Sequence, residues 1–202
     1  MTAAPASVFG LDLIEPGRAY AGVGSRETPE EILQVMTAAA QRLALAGMTL
    51  RSGHAPGADQ AFEAGAPDDM AEIFLPWAGF ENARRGVTLG ADMTGPCFDL
   101  ARRFHPAFDR LGAGARKLMA RNGQQVLGAH LDDPAAFVLC WTPRARAGGG
   151  TGQAIRIARA YGVPTFDLAD PWVLAQVCGV LSIEPPAGHN EQKAETEPGL
   201  GF

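Results

Sequence analysis

Three glycine-punctuated turns hold the residues of this chain whose types and spacing could do chemistry: Gly22-Val23-Gly24-Ser25-Arg26, Ser52-Gly53-His54-Ala55-Pro56-Gly57-Ala58-Asp59 and Gly148-Gly149-Gly150-Thr151-Gly152-Gln153. Each stands between an apolar run and a helix-like run. A strand that ends in such a turn and opens a helix aims free backbone N–H groups, and the positive end of the helix dipole, at one edge of the sheet. Phosphate suits that edge. Arg26 could lay a guanidinium beside a phosphate held by the Gly24 and Ser25 amides, a charge-assisted fork; its other reading is a solvated surface arginine. His54 and Asp59 bracket the second turn as an acid–base pair or, for Asp59, as an acidic residue stabilised at a helix start without catalytic work, the better reading for that residue. The third turn follows a basic loop, Arg144 and Arg146. It reads as a phosphate cradle of several amides, with a mobile glycine linker as the alternative.

These turns need strands and helices to place them. Arg18 to Val23 is a short apolar strand, and Thr28-Pro29-Glu30-Glu31 is a helix start, with Thr28 as N-cap, Pro29 at the first helical position and a glutamate closing a capping box. Ile32, Val35, Met36, Ala39, Ala40 and Leu43 follow at helical spacing, Gly47 ends the helix, and Met48 to Arg51 is the second strand. Ala58 to Gly65 reads as a short helix, Glu72 to Leu75 as a strand, Ala115 to Leu127 as a helix, Ala136 to Trp141 as the clearest buried strand, Gly152 to Tyr161 as a helix and Val163 to Leu168 as the closing strand. Strand–turn–helix alternation predicts an α/β fold: an open, mostly parallel sheet with helices on both faces. The domain spans residues 18–184. Within it residues 79–114 form an excursion without clear periodicity, and residues 1–17 (an N-terminal extension) and 185–202 (a flexible tail) are expected outside the core.

Composition narrows the function classes. With 202 residues, 47% apolar and 19% charged, the chain is ordinary globular material. It has no apolar run long enough to cross a membrane and no basic-then-apolar leader pattern, so a cytoplasmic address is expected. Cys97, Cys140 and Cys178 are odd in number and far apart, which fits buried thiols. His54, His105, His130 and His189 lack metal-ligand spacing, so neither a metal nor a cofactor is expected. A net charge of −5 argues against coating nucleic acid by bulk electrostatics, although arginines concentrate in the middle of the chain and the stretch after Pro185 is largely acidic. The first turn lacks the third glycine of the dinucleotide fingerprint, and its second strand ends in Arg51-Ser52 where that fingerprint needs an acid. The Gly-Lys-Ser/Thr phosphate loop is absent too.

Taken in order, Gly24-Ser25-Arg26, the Ser52 to Asp59 turn, Arg121-Asn122 and Gly149-Gly150-Thr151 resemble the motifs of the DNA-processing protein A (DprA/Smf) family: a Gly-Ser-Arg turn after the first strand, a Ser-Gly-x-Ala-x-Gly-x-Asp turn after the second, an Arg-Asn pair in a later helix and a glycine-threonine turn after a late strand. The resemblance covers roughly residues 18 to 168. It implies a Rossmann-like domain that binds single-stranded DNA along the glycine-rich edge and dimerises, with no catalytic residues. Arg26, Lys117, Arg121 and Asn122 would contact phosphates. Gly24, Ser25, Ser52, Gly53, His54, Gly149, Gly150, Thr151 and Gln153 would lie along the same path, and Trp77 or Phe80 could stack on bases or simply pack in the core.

The departures from that family matter. Gly123 follows the Arg-Asn pair in place of a second arginine, the middle excursion is longer, and no winged-helix pattern follows the sheet. A compact, stand-alone version of the kind phages carry fits best, with a role in DNA metabolism or recombination. The same superfamily includes phosphoribohydrolases and sensors of nucleotide-derived signals, so a nucleotide ligand is the alternative to a strand. Gln153 offers an amide where those hydrolases need a carboxylate, and without one the developing ribosyl cation loses its main electrostatic aid.

Overall fold

The computed structural model describes residues 8–143 and 149–187. Arg144, Arg146 and Gly148, residues 1–7 of the N-terminal extension and residues 188–202 of the tail lie outside the described residues. The strands are β1 (Ala19–Gly22), β2 (Thr49–Ser52), β3 (Ala71–Leu75), β4 (Val87–Thr88), β5 (Val138–Cys140) and β6 (Thr165–Asp167). The helices are α1 (Glu30–Leu45), α2 (Ala58–Gly65), α3 (Ala91–Phe104), α4 (Ala113–Leu127), α5 (Gly149–Ala160) and α6 (Pro171–Leu181). The strands pair in the order β4-β3-β2-β1-β5-β6, all parallel. This is an open α/β sheet of the Rossmann-like kind. The order reverses between β1 and β5, and in such sheets the helices leaving the two halves part there, opening a crevice above the strands' C-terminal ends.

Strand pleating sorts the side chains onto two faces. Tyr20, Leu50, Ile73, Phe137, Leu139 and Phe166 point to the layer of α1, α2 and α6, where they meet Met36, Phe62, Leu174 and Val177. Ala21, Val138 and Cys140 point to α4 and α5, where Val126, Leu127, Ile155 and Ala158 cover them. Arg51, only 5% exposed, donates from Nε to Glu72 at 2.6 Å and from Nη2 to the Asp133 carboxylate at 2.5 Å. The basic residue at the end of β2 thus ties that strand to the α4–β5 connection.

Four expectations change. The excursion holds an edge strand, β4, and a full helix, α3, which the glycines at 90 and 95 and Pro96 obscure in sequence; Cys97, Leu100 and Ala101 recur at helical spacing and pack on α4 and Phe108. Helix α1 begins one residue later than read, with Pro29 in the N-cap position, and the Thr28 hydroxyl donates to the Ser25 carbonyl at 2.8 Å instead of capping. Helix α5 begins at Gly149, so the third glycine turn is largely the first turn of a helix. The extension also contributes to the core. Phe9 is 1% exposed and meets Phe137 and Phe166 edge-to-face at centroid distances of 5.3 and 5.0 Å.

Phe9→Ala is expected to cost about 3–5 kcal/mol, and Leu11→Ala, at a position 72% exposed, less than about 0.5 kcal/mol; urea denaturation of both variants separates the two. Burial pushes the Cys97 thiol from its ordinary 9.0 up to about 11, and raises Cys140, Cys178 and Tyr20 as well. The unfolded chain therefore loses these protons first. Stability present below about pH 9 should fall as pH climbs through the window from 9.0 to about 11 set by Cys97. Thermal melts followed by circular dichroism between pH 7 and 11 test this, and no thiol should react with a disulfide reagent at pH 8 until urea is added.

Candidate functional site

The crevice predicted by the strand order is present as a cavity of about 420 Å³. Its walls come from the turn after β1 (Val23 to Glu27), Ala55 and Asp59 beyond β2, Leu118, Met119, Arg121, Asn122 and Gln125 of α4, Thr142 and Pro143 after β5, and Gly149, Gly150, Thr151 and Ala154 of α5. Gly24, Ser25, Arg26, Arg121, Asn122, Gly149, Gly150 and Thr151 thus share one cavity. Ser52, Gly53, His54, Lys117 and Gln153 are not among its lining residues.

The first two glycine turns interlock. The Ser25 amide donates to the Trp141 carbonyl at 3.2 Å, so it is not free for the phosphate that the sequence placed there. The Ser25 carbonyl accepts from the Ala58 amide at 3.3 Å. Gly57 makes that contact feasible: its φ is +87°, and a Cβ there would stand 2.6 Å from the Ser25 oxygen. Ser52 is buried and donates from Oγ to the Gly22 carbonyl at 2.7 Å, stitching β2 to β1.

Beneath the cavity lies an ion pair. Asp59 and Arg121 are 3% and 4% exposed, with Nη1 of the arginine 3.3 Å from Oδ2 of the aspartate. Gln125 and the Ala55 amide also donate to Asp59, each at 3.4 Å. Burial pushes the Asp59 carboxyl above its ordinary value and the Arg121 guanidinium below its own, each opposed by the partner's charge. Gly53 makes the arrangement possible, because a Cβ there would sit 1.3 Å from Nη1 of Arg121. Among the described residues the buried Nε of Arg121 has no partner.

Helix α5 supplies the anion-attracting wall. Its first-turn amides have no intrahelical acceptor, and Gly149, Gly150 and Thr151 bring them to the cavity. Asn122 sets that turn in place, donating to the Gly150 carbonyl at 3.2 Å and to Oε1 of Gln153 at 2.9 Å, while Nε2 of Gln153 donates to the Ala101 carbonyl at 3.2 Å. Gln153 is fully buried in this relay from α4 through α5 to α3, and its side chain positions the turn. Thr142 is held from the other side, its amide donating to Asp167 at 3.0 Å and its hydroxyl to the same carboxylate.

His54 pairs with a different acid from the one the sequence offered. Its Nδ1 is 2.6 Å from Glu63, whose other oxygen faces Arg85 at 3.6 Å, and Asp59 is committed to Arg121. Arg26 stays at the cavity rim, 59% exposed at the side chain and 3.5 Å from Glu81. Lys117 lies one helical turn from Arg121 on α4, in a neighbouring groove with Trp77. Phe80 is 3% exposed, which removes it as a base-stacking surface.

Sequence reasoning underrated Asp59 and passed over Gln125 and Thr142. The spacing of Arg121 and Gln125, four apart on α4, marks a polar stripe on an otherwise buried helix face. A metal centre is not evident: no cluster of three or more His, Cys, Asp or Glu side chains stands together among the described residues. Comparison of the chain with protein-family models, curated proteins and solved structures finds no match.

Asp59→Ala leaves Arg121 buried without its counter-charge and should cost about 3–5 kcal/mol, whereas Asp59→Ala combined with Arg121→Met should recover most of that loss, because apolar groups replace a buried ion pair cheaply. Chemical denaturation of the two variants measures the difference.

Proposed function

We propose that this chain is a non-enzymatic, phosphate-recognising domain of the DprA-like kind, which binds single-stranded DNA with one backbone phosphate seated in the cavity between β1 and β5. The observation that carries the reading is Arg121, whose buried Nε has no partner among the described residues, lining the same cavity as the first turn of α5. A buried charged donor without an acceptor is costly, and a phosphate oxygen would satisfy it while the α5 amides and dipole neutralise the remaining charge. Arg26 at the rim adds a solvent-accessible fork for the same phosphate or the next one. The motif resemblance supports DNA as the source of that phosphate.

A second reading, a free nucleotide in the same cavity, rests on one observation: the described lining carries Arg26 and Arg121 against Glu27 and Asp59, a balanced set suited to a single small anion. Hydrolysis of that nucleotide has less support. The amide of Gln153, where the phosphoribohydrolases carry their acid, is spent on Asn122 and Ala101.

Fluorescence anisotropy with labelled oligothymidylate tests both readings. For a strand-binder that neutralises two phosphates, the log–log slope of affinity against salt should be about −1.4, at about −0.7 per phosphate on single strands. Arg26→Ala should weaken binding about tenfold or more, the range of a charge-assisted hydrogen bond, and flatten the slope by about 0.7. Displacement by thymidine monophosphate at comparable concentration, with little salt dependence, would replace the strand by the nucleotide. Absence of binding to either ligand would remove both.

A further inference from the structure

Next to the cavity, along α4, lies a groove of about 270 Å³ walled by Trp77, Thr88, Leu89, Thr94, Phe98 and Lys117. Thr88, Leu89, Thr94 and Phe98 come from the excursion, the part of the chain that departs from the DprA-like pattern. The geometry points to a second nucleotide subsite here, in which the indole of Trp77 stacks on a base and Lys117 meets the phosphate that joins it to the nucleotide in the main cavity. This rests on the proposed binding of a strand and adds its path and its minimum length.

Three features carry the inference. The first is the presentation of Trp77. Its ring is 38% exposed, yet it is fixed from behind by Phe80, edge-to-face at 5.2 Å and 89°, and it lies against the start of α4, where a Cβ on Gly114 would be 3.7 Å away. An aromatic held rigidly with a solvent-facing surface is a stacking platform that loses little entropy on binding. The loop that holds it is unusual for the same reason: Phe80 is pulled into the core while Gly79, Glu81 and Asn82 around it take φ of +74°, +49° and +63°. Non-glycine residues hold such φ values only where surrounding contacts enforce them.

The second feature is continuity. Lys117 lines the groove and Leu118, the next residue, lines the main cavity, so the two share α4 as a common wall. Lys117 and Arg121 are four residues apart, about 6 Å along the helix axis, close to two steps of a stacked strand at about 3.4 Å per nucleotide. A strand that follows α4 therefore reaches both sites within two steps. The third feature is charge. Among the described lining residues of the groove, Lys117 is the one charged group, so this subsite is net positive where the main cavity is balanced. A strand gains from extending into it, and a mononucleotide does not reach it.

The test compares thymidine monophosphate, the dinucleotide pTpT and the tetranucleotide of thymidine as ligands for the wild type, Trp77→Ala, Trp77→Phe and Lys117→Gln. The wild type should bind the tetranucleotide at least tenfold more tightly than the monophosphate, with quenching of tryptophan fluorescence. Trp77→Ala should lose roughly tenfold on the tetranucleotide, the scale of one base–aromatic stack, with the monophosphate unaffected; Trp77→Phe should restore most of it, and Lys117→Gln should flatten the salt slope by about 0.7. A Trp77→Ala protein with a wild-type melting temperature and wild-type tetranucleotide affinity overturns the subsite. If the wild type binds the monophosphate and the tetranucleotide equally, the subsite falls and the cavity reading stands. If it binds neither, both fall. A change in sedimentation coefficient with no change in nucleotide binding would make Trp77 part of a protein contact and likewise overturn the subsite.

Discussion

Everything at the C-terminal edge of the sheet is organised around the buried contact between Asp59 and Arg121. The two charges sit under the cavity floor at 3.3 Å, and their burial requires a residue without a side chain beneath the guanidinium, which Gly53 supplies. Desolvation works against both ions, and the contact persists because each is the other's compensation. Asp59 also accepts from the Ala55 amide and from Gln125, so one carboxylate fixes the turn after β2 and α4 relative to one another. The pair leaves Nε of Arg121 over, a donor with no acceptor among the described residues.

Arg121 and Asp59 both line the cavity, so the pair sets its polar character as well. The Ser25 amide is spent on Trp141, the Ala58 amide on Ser25 and the Ala55 amide on Asp59, while the start of α5, which Asn122 and Gln153 hold in place, brings its first-turn N–H groups to the cavity. The result is a small polar cavity lined by the buried Arg121 and its partner Asp59, by one helix terminus, and by Arg26 and Glu27. Beside it lies the groove lined by Trp77 and Lys117 together with Thr88, Leu89, Thr94 and Phe98 of the excursion.

Much of this was legible in the sequence, for identifiable reasons. The strands β1, β2, β3, β5 and β6 and the helices α1, α2, α4 and α5 announce themselves by apolar period and by glycine at their ends, which are local properties. Helix α3 did not, because Gly90, Gly95 and Pro96 lower its intrinsic propensity and it is held by packing against α4. Phe9 could not be read as core either, since nothing near it in sequence reveals that Phe137 and Phe166 lie within reach.

The division follows from the range of the forces involved. By itself the sequence determined the parallel α/β architecture and the gathering of Gly24 to Arg26, Arg121-Asn122 and Gly149 to Thr151 toward one edge, because strand, turn and helix signals act over a few residues and the handedness of crossovers does the rest. The tertiary structure decided which polar groups are spent and which are left. It turned Asp59 from a helix-start acid into the partner of Arg121, moved Gln153 from ligand candidate to support, took the Ser25 amide out of play and set Lys117 beside Trp77. Those assignments depend on distances between residues tens of positions apart in the chain, and on the cost of burying a charge or a donor without a partner.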